Sequence, residues 1–340
     1  MYRQIFTEKI ATFANRFHRK RFIMLNRRFL RIKALQEIYA YHQSNSSNIP
    51  QSERHLLEEV EGLYKLFVYQ LSFWVEVKKF AERRIKENKQ KHFPTEEDLN
   101  PNLKFVNNRI LNALEDNKHL MSLEEKYKIN WADSREDFIR KLYGKMLETP
   151  EYQEYMTNGK DSFSDDKHFL VTMIDTYMAE NGLLYDYYSD RDLSFNSDYQ
   201  VAIYLLWKFI SELPTNFDAS SKLPPMYKDE DEDKEFVVKL FEKTILHADE
   251  YRELVKANIS NWDYDRLALM DKIIIFMALT EFCEFHSIPV KVTINEYIEI
   301  SKFYSTPESR RFVNGMLDKL ASQLKEEGKL VKTGLGLIEK

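Results

Sequence analysis

Residues 25–41 read LNRRFLRIKALQEIYAY. Leu35, Ile38 and Tyr39 recur at the spacing of one helical face, and Asn26 stands where a capping side chain would accept the first free N–H groups. The reading is a helix from about Asn26 to His42, closed by the polar loop SNSSNIPQ. Its start is unusual. Arg27, Arg28 and Arg31 crowd the end at which the helix dipole disfavours positive charge. At about 100° per residue they fall on the side that turns apolar further along. Either they snorkel outward past the buried face, or something anionic meets them there.

The chain around this stretch is helix-rich and ordered. Its 340 residues are 43% apolar and 14% aromatic, enough to bury one large core or two smaller ones. Eight Gly and nine Pro are too few for the turns of an all-β protein or the phosphate loops of a doubly wound one, so the class expected is all-α. The longest apolar run, Ile273 to Leu279, falls far short of the roughly 20 residues that span a bilayer, so no membrane partner is expected. The lone Cys283 forms no intrachain disulfide and fits a cytoplasmic location.

Net charge is −5, unevenly spread. Residues 1–43 hold ten Lys or Arg against Glu8 and Glu37, a surplus of 10 − 2 = +8, which attracts phosphates or acidic surfaces. The balancing acids include DEDEDKE at 229–235. Residues 1–23 form a basic N-terminal extension, either a functional arm or a segment upstream of a start at Met24. They lack the apolar core of a secretory signal.

A second long helix follows from about Ser52 on the pattern Leu56, Val60, Leu63, Phe67, Leu71, Trp74, running into RRIKENKQKH and broken by Pro94 and Pro101. Residues 93–231 read as an insert of aromatic-rich helices, among them Glu136 to Leu147, Ser164 to Met178 and Tyr199 to Leu213. The insert closes at Pro224-Pro225 and the acidic run. Helices are then expected at 236–246, 249–259 and 267–285. Thr293 and Glu296 read as a capping box for a helix through Tyr304, and Ser305 or Thr306 with Pro307 starts a last helix. In that helix Phe312, Val313, Met316, Leu317, Leu320 and Leu324 form the buried face. Residues 326–340 read as a flexible tail.

No constellation for catalysis stands out. Gly334-Leu335-Gly336 lacks a third glycine and a flanking strand, and no Walker or G-x-S-x-G pattern occurs. Glu281, Cys283 and His286 lack metal-ligand spacing and sit in an apolar segment, so core packing is their reading. Asp263 with Asp265, and the acids of YYSDRD at 187–192, read as caps and solvated faces. Neither metal nor cofactor is expected.

Three blocks carry a resemblance. IPVKVTINEYIEISK at 288–302 looks like P-x-K-V-x-I-N-E-x-I-E-L-A-K. SRRFVNGMLDK at 309–319 looks like S-x-[KR]-F-V-N-G-[VI]-L-D-[KR], and the opening stretch is similar to R-R-x-x-R-x-x-A-[LV]-Q-x-L-Y. Residues 271–273 and 278–281 match a middle helix. These are motifs of the NusB family of transcription antitermination factors, which the chain resembles over about 24–90 and 232–325. Ordinary members are less than half this length, so the insert inherits nothing from them.

The resemblance implies an all-α NusB-like helical bundle, with core helices at 24–92 and 232–325 and a large helical insertion. It implies a non-enzymatic, cytoplasmic RNA-binding adaptor. Its partners would be single-stranded boxA-type RNA, the ribosomal small-subunit protein NusE and the RNA polymerase antitermination complex. RNA would meet Arg27, Arg28, Arg31, Ser309, Arg310 and Arg311, with Glu308 at the edge; NusE would meet Tyr39 and Asp271. Asn314 is open between an RNA contact and an interhelical hydrogen bond, and Gly315 suggests close helix packing. Two other readings stay in play. The chain could be the helical domain of an rRNA methyltransferase-like protein, which would need a further α/β domain and a catalytic cysteine, or an interaction scaffold built on the insert.

Overall fold

In the computed structural model, residues 25–44, 47–259 and 264–337 are described. The basic extension at 1–23 and Asp263 lie outside them. Every regular element among the described residues is helical, as the glycine and proline counts require. The α/β domain that the methyltransferase reading needs is not among them.

The helices divide into two compact units, 25–60 with 226–337, and 61–225. The division cuts a single helix. After α1 (Arg27–Gln43), α2 runs unbroken from Ile49 to Lys89, its first turns in one unit and the rest in the other. Residues 61–92, expected in the core with α1, thus group with the insert.

The 61–225 unit continues with α3 (Glu96–Leu99), α4 (Arg109–Glu115), α5 (Lys118–Lys126), α6 (Arg140–Leu147), α7 (Pro150–Thr157), α8 (Phe163–Met173), α9 (Gly182–Ser189) and α10 (Phe195–Glu212). The apolar period of α2 buries Leu66, Phe67, Leu71 and Trp74, with Phe67 edge-on to Phe209 of α10. Caps are regular: Asn108, Asn117, Thr149, Ser162 and Asn181 each accept from the first free N–H groups of their helices. Two expected helices contain a widened π turn, at Arg135–Ile139 and Ile174–Met178. A 3.6-residue pattern does not distinguish such a turn from α-helix.

The other unit holds α1 and the start of α2, then α11 (Glu230–Leu246), α12 (Ala248–Asn258), α13 (Leu269–Glu284), α14 (Val290–Tyr304) and α15 (Pro307–Glu326). α13 is central, with eleven of its sixteen residues buried. Its near-continuous apolar run is what a helix covered on all sides requires. α1 packs on α11 and α13, and α14 and α15 pack on α13 and on each other. The acidic run 229–235 becomes the N-cap and first turns of α11, the end at which the dipole favours carboxylates.

Beyond α15 the chain turns back rather than trailing away. Thr333 N–H donates to the His286 carbonyl, and His286 Nδ1 lies 2.7 Å from the Val331 carbonyl. Lys332 Nζ donates to the Glu281 and Phe285 carbonyls, capping the C-terminal end of α13. Gly336 is buried where a Cβ would stand 2.1 Å from the His286 carbonyl oxygen, so only glycine fits. This segment is an ordered strap, which corrects the expected flexible tail over 327–337.

Candidate nucleic-acid interface

Asn26 caps α1 as its sequence suggests, its Oδ1 accepting from Arg28 and Phe29 N–H. The three arginines that follow all face carboxylates from other helices of the same unit. Arg27, about 40% exposed along its side chain, lies 3.7 and 3.6 Å from Glu232 and Asp233 of α11 and stacks over Phe236. Arg28 donates from Nε and Nη2 to the Glu296 carboxylate of α14, both at 2.6 Å. Arg31 is 3% exposed and donates from Nε and Nη2 to Glu281 of α13, both at 2.8 Å.

The Arg31–Glu281 pair is the centre of a buried network. Glu281 also accepts from Thr293 Oγ1 at 2.7 Å and from the Tyr297 hydroxyl at 3.4 Å. Burial by itself would lower the Arg31 pKa, but Glu281, with Tyr297 and Glu296, carries it above the ordinary value. Burial, then Glu281, pushes the Tyr297 phenol well up, so it stays a neutral donor.

Two sequence expectations change here. Thr293 and Glu296 do not form a capping box: α14 starts at Val290 behind Pro289, and both side chains are spent on Glu281 and the arginines. Arg28 and Arg31, expected at RNA, are turned into the unit. Arg31 has no exposed face left for a phosphate, because its fork already holds a carboxylate where water does not reach.

The second basic stretch behaves differently. Thr306 caps α15, its Oγ1 accepting from Ser309 N–H, and Pro307 occupies the first helical position. Ser309 and Arg310 are half-buried, and Arg311, Asn314 and Gly315 are exposed. Neither arginine is held in an ion pair among the described residues. Exposed Glu308 beside them has its pKa lowered by backbone and Thr306 hydrogen bonds and then by Arg311 and Arg310. A Cβ on Gly315 would meet nothing within 4 Å, so close packing does not account for this glycine. The turn is a helix N-terminus with free cations, the geometry that suits an anion.

Asp271 and Tyr39 part company. Asp271 is 3% exposed and accepts from Ser305 Oγ, fixing the corner between α14 and α15. A buried carboxylate so engaged offers a partner little, which alters its expected place at the NusE interface. Tyr39 is half-buried, its hydroxyl accepting from Gln43 Nε2 at 3.0 Å, and keeps an accessible edge.

Two links fix how the basic groups are spaced. Arg28 meets Glu296, and Gln36 Nε2 donates to the Tyr304 hydroxyl at 3.2 Å. Each partner advances eight residues, so α1 and α14 point the same way where these side chains meet. The α15 turn therefore sits at the Gln36–Tyr39 end of the pair, about 12 Å of helix rise from Arg27 and Arg28. The two basic stretches are thus set apart rather than joined in one patch.

What the sequence did not mark is the carboxylate set that meets the arginines. Glu281, a charge inside the otherwise apolar ALTEFC segment, is the one signal that was available, since buried charges are nearly always paired.

The NusB family model matches residues 214–322. Curated relatives include the transcription antitermination protein NusB of Salinibacter ruber, 39% identical over 36% of this chain and 80% of that protein. Those of Chloroherpeton thalassium and Methylacidiphilum infernorum are 37% and 41% identical, over 31% and 28% of this chain and 50% and 66% of theirs. No solved structure matches.

Proposed function

Because the chain belongs to the NusB family, we propose that it is a non-enzymatic transcription antitermination factor that binds boxA-type single-stranded RNA together with the ribosomal protein NusE. The observation that carries the RNA contact is the α15 turn, where Arg310 and Arg311, in no ion pair among the described residues, stand with the Ser309 hydroxyl at a helix start whose dipole also favours an anion. Asn314, one turn on and exposed, extends that surface with an amide suited to a base edge. Arg27 marks the far end of the strand's path. Arg28 and Arg31 serve it indirectly, by holding the start of α1 against α14 and α13. Tyr39 lies at the NusE-facing edge, and Asp271 supports the same corner from within through Ser305.

The test is a titration of boxA-type RNA with and without NusE. Arg310→Ala with Arg311→Ala is expected to weaken binding at least tenfold and to reduce the log–log salt slope by about 0.7 for each phosphate no longer neutralised. Tyr39→Ala is expected to leave binding by the chain alone intact while reducing the gain from NusE. Unchanged affinity in the double arginine variant would sink the assigned surface.

A further inference from the structure

The 61–225 unit carries a feature that its core does not explain. Where α2 ends, the sequence KENKQKHF runs into solvent, and Phe93 is 84% exposed, the most exposed large apolar side chain among the described residues. Its ring stacks on that of His92, with centroids 4.5 Å apart and planes 11° from parallel. Arg84, Lys86, Lys89 and Lys91 are exposed on the turns leading to it. Arg84 has Glu87 at 3.7 Å and Lys91 is engaged by Asp98, while Lys86 and Lys89 are in no ion pair among the described residues. Cations at a helix C-terminus are favoured by the dipole alone, so they do not by themselves require a ligand. The aromatic pair beside them adds a flat apolar face open to solvent.

We propose that the end of α2 is a second contact for single-stranded RNA, with the His92–Phe93 pair as a stacking platform and Lys86 and Lys89 along the phosphates. Stacking on an aromatic face tolerates any base, and adjacent lysines track a backbone without reading sequence. The platform therefore suits nucleotides flanking a specific element rather than the element itself. Charge complementarity selects RNA over an acidic-poor or apolar partner: Lys86 and Lys89 are exposed and in no ion pair among the described residues, while Arg84 faces Glu87 and Lys91 faces Asp98. Glu96 and Glu97, exposed on the next short helix, bound the site on one side and set a limit to its affinity. The inference rests on reading the chain as an RNA-binding factor, but on residues of the other unit.

The test uses the full chain and a fluorescent oligouridylate, which lacks a boxA element, followed by anisotropy. His92→Ala with Phe93→Ala is expected to weaken binding about tenfold with helicity unchanged, and Phe93→Trp to retain it. Lys86→Glu with Lys89→Glu should lower the magnitude of the log–log salt slope by about 1.4. Repeating the measurements in the Arg310→Ala, Arg311→Ala background separates the two surfaces, because sensitivity to Phe93 persists there if the platform is independent. Oligouridylate affinity that is within twofold of the parent chain in the His92, Phe93 variant overturns the proposal, whatever the boxA titration gives. So does a loss that Phe93→Trp fails to prevent.

Discussion

Arg31 and Glu281 form a charge pair away from water, and such pairs are asymmetric in what their loss costs. Arg31→Met leaves Glu281 buried with only Thr293 and Tyr297 as donors and is expected to destabilise by about 3–5 kcal/mol. Adding Glu281→Leu should return part of that loss by removing the unpaired carboxylate, while the buried Thr293 and Tyr297 hydroxyls lose their acceptor. Chemical denaturation of the two single variants and the double variant measures the difference. His55 offers a test by pH. Burial opposes its charge, but its hydrogen bond to Glu37 at 2.6 Å and the fields of Glu37, Glu59 and Glu58 outweigh that, and its pKa is raised. The folded state thus binds the proton more tightly than the unfolded chain. The stabilisation is complete below the unfolded value of about 6.5 and fades as pH climbs through the raised folded value. His55→Gln should therefore cost stability at pH 5.5 and little at pH 9, read from melting temperatures across that range.

At the level of elements, α15 carries the sharpest expectation. Gly315 lies inside it, exposed and without neighbours, so Gly315→Ala should stabilise by up to about 1 kcal/mol. A larger residue that leaves stability intact but weakens RNA or NusE binding would mark the position as a place of close approach. The helices themselves were largely legible from one sequence. Asn26 and Thr306 announced their starts, Pro307 its first position, and α13 its central place through an unbroken apolar run. The failures share a physical cause, that one side chain has several possible partners. Thr293 and Glu296 have the spacing of a capping box, yet a buried carboxylate and two guanidinium groups bind them more strongly than a backbone N–H does. The arginines of α1 look like a ligand surface because sequence shows their number and spacing but not Glu232, Glu281 and Glu296, up to 268 residues away. Arg311 stands exposed and Arg310 half-buried at the start of α15, where a helix beginning after Thr-Pro at a tight corner leaves few places for partners.

For the molecule as a whole, the division at residues 60 and 225 decides how the insert can be removed. Deleting 93–228, the limits that composition suggests, would keep Leu66, Phe67, Leu71 and Trp74 while discarding the helices that bury them. That variant is expected to aggregate. Excising 61–225 and joining Val60 to Met226 by a flexible linker should instead give a cooperative thermal transition and retain boxA binding. If only the shorter deletion folds, the division into units is wrong. The same division has a consequence during synthesis. Arg31 leaves the ribosome 250 residues before Glu281, a delay of roughly 10–50 s at about 5–20 residues per second. For that interval α1 is a basic, half-apolar segment with its carboxylates not yet made. The contiguous 61–225 unit can close first, and in doing so it shortens the loop that later joins α1 to α13. The nascent chain, rather than the finished one, is where Arg28 and Arg31 stand without the carboxylates of Glu296 and Glu281.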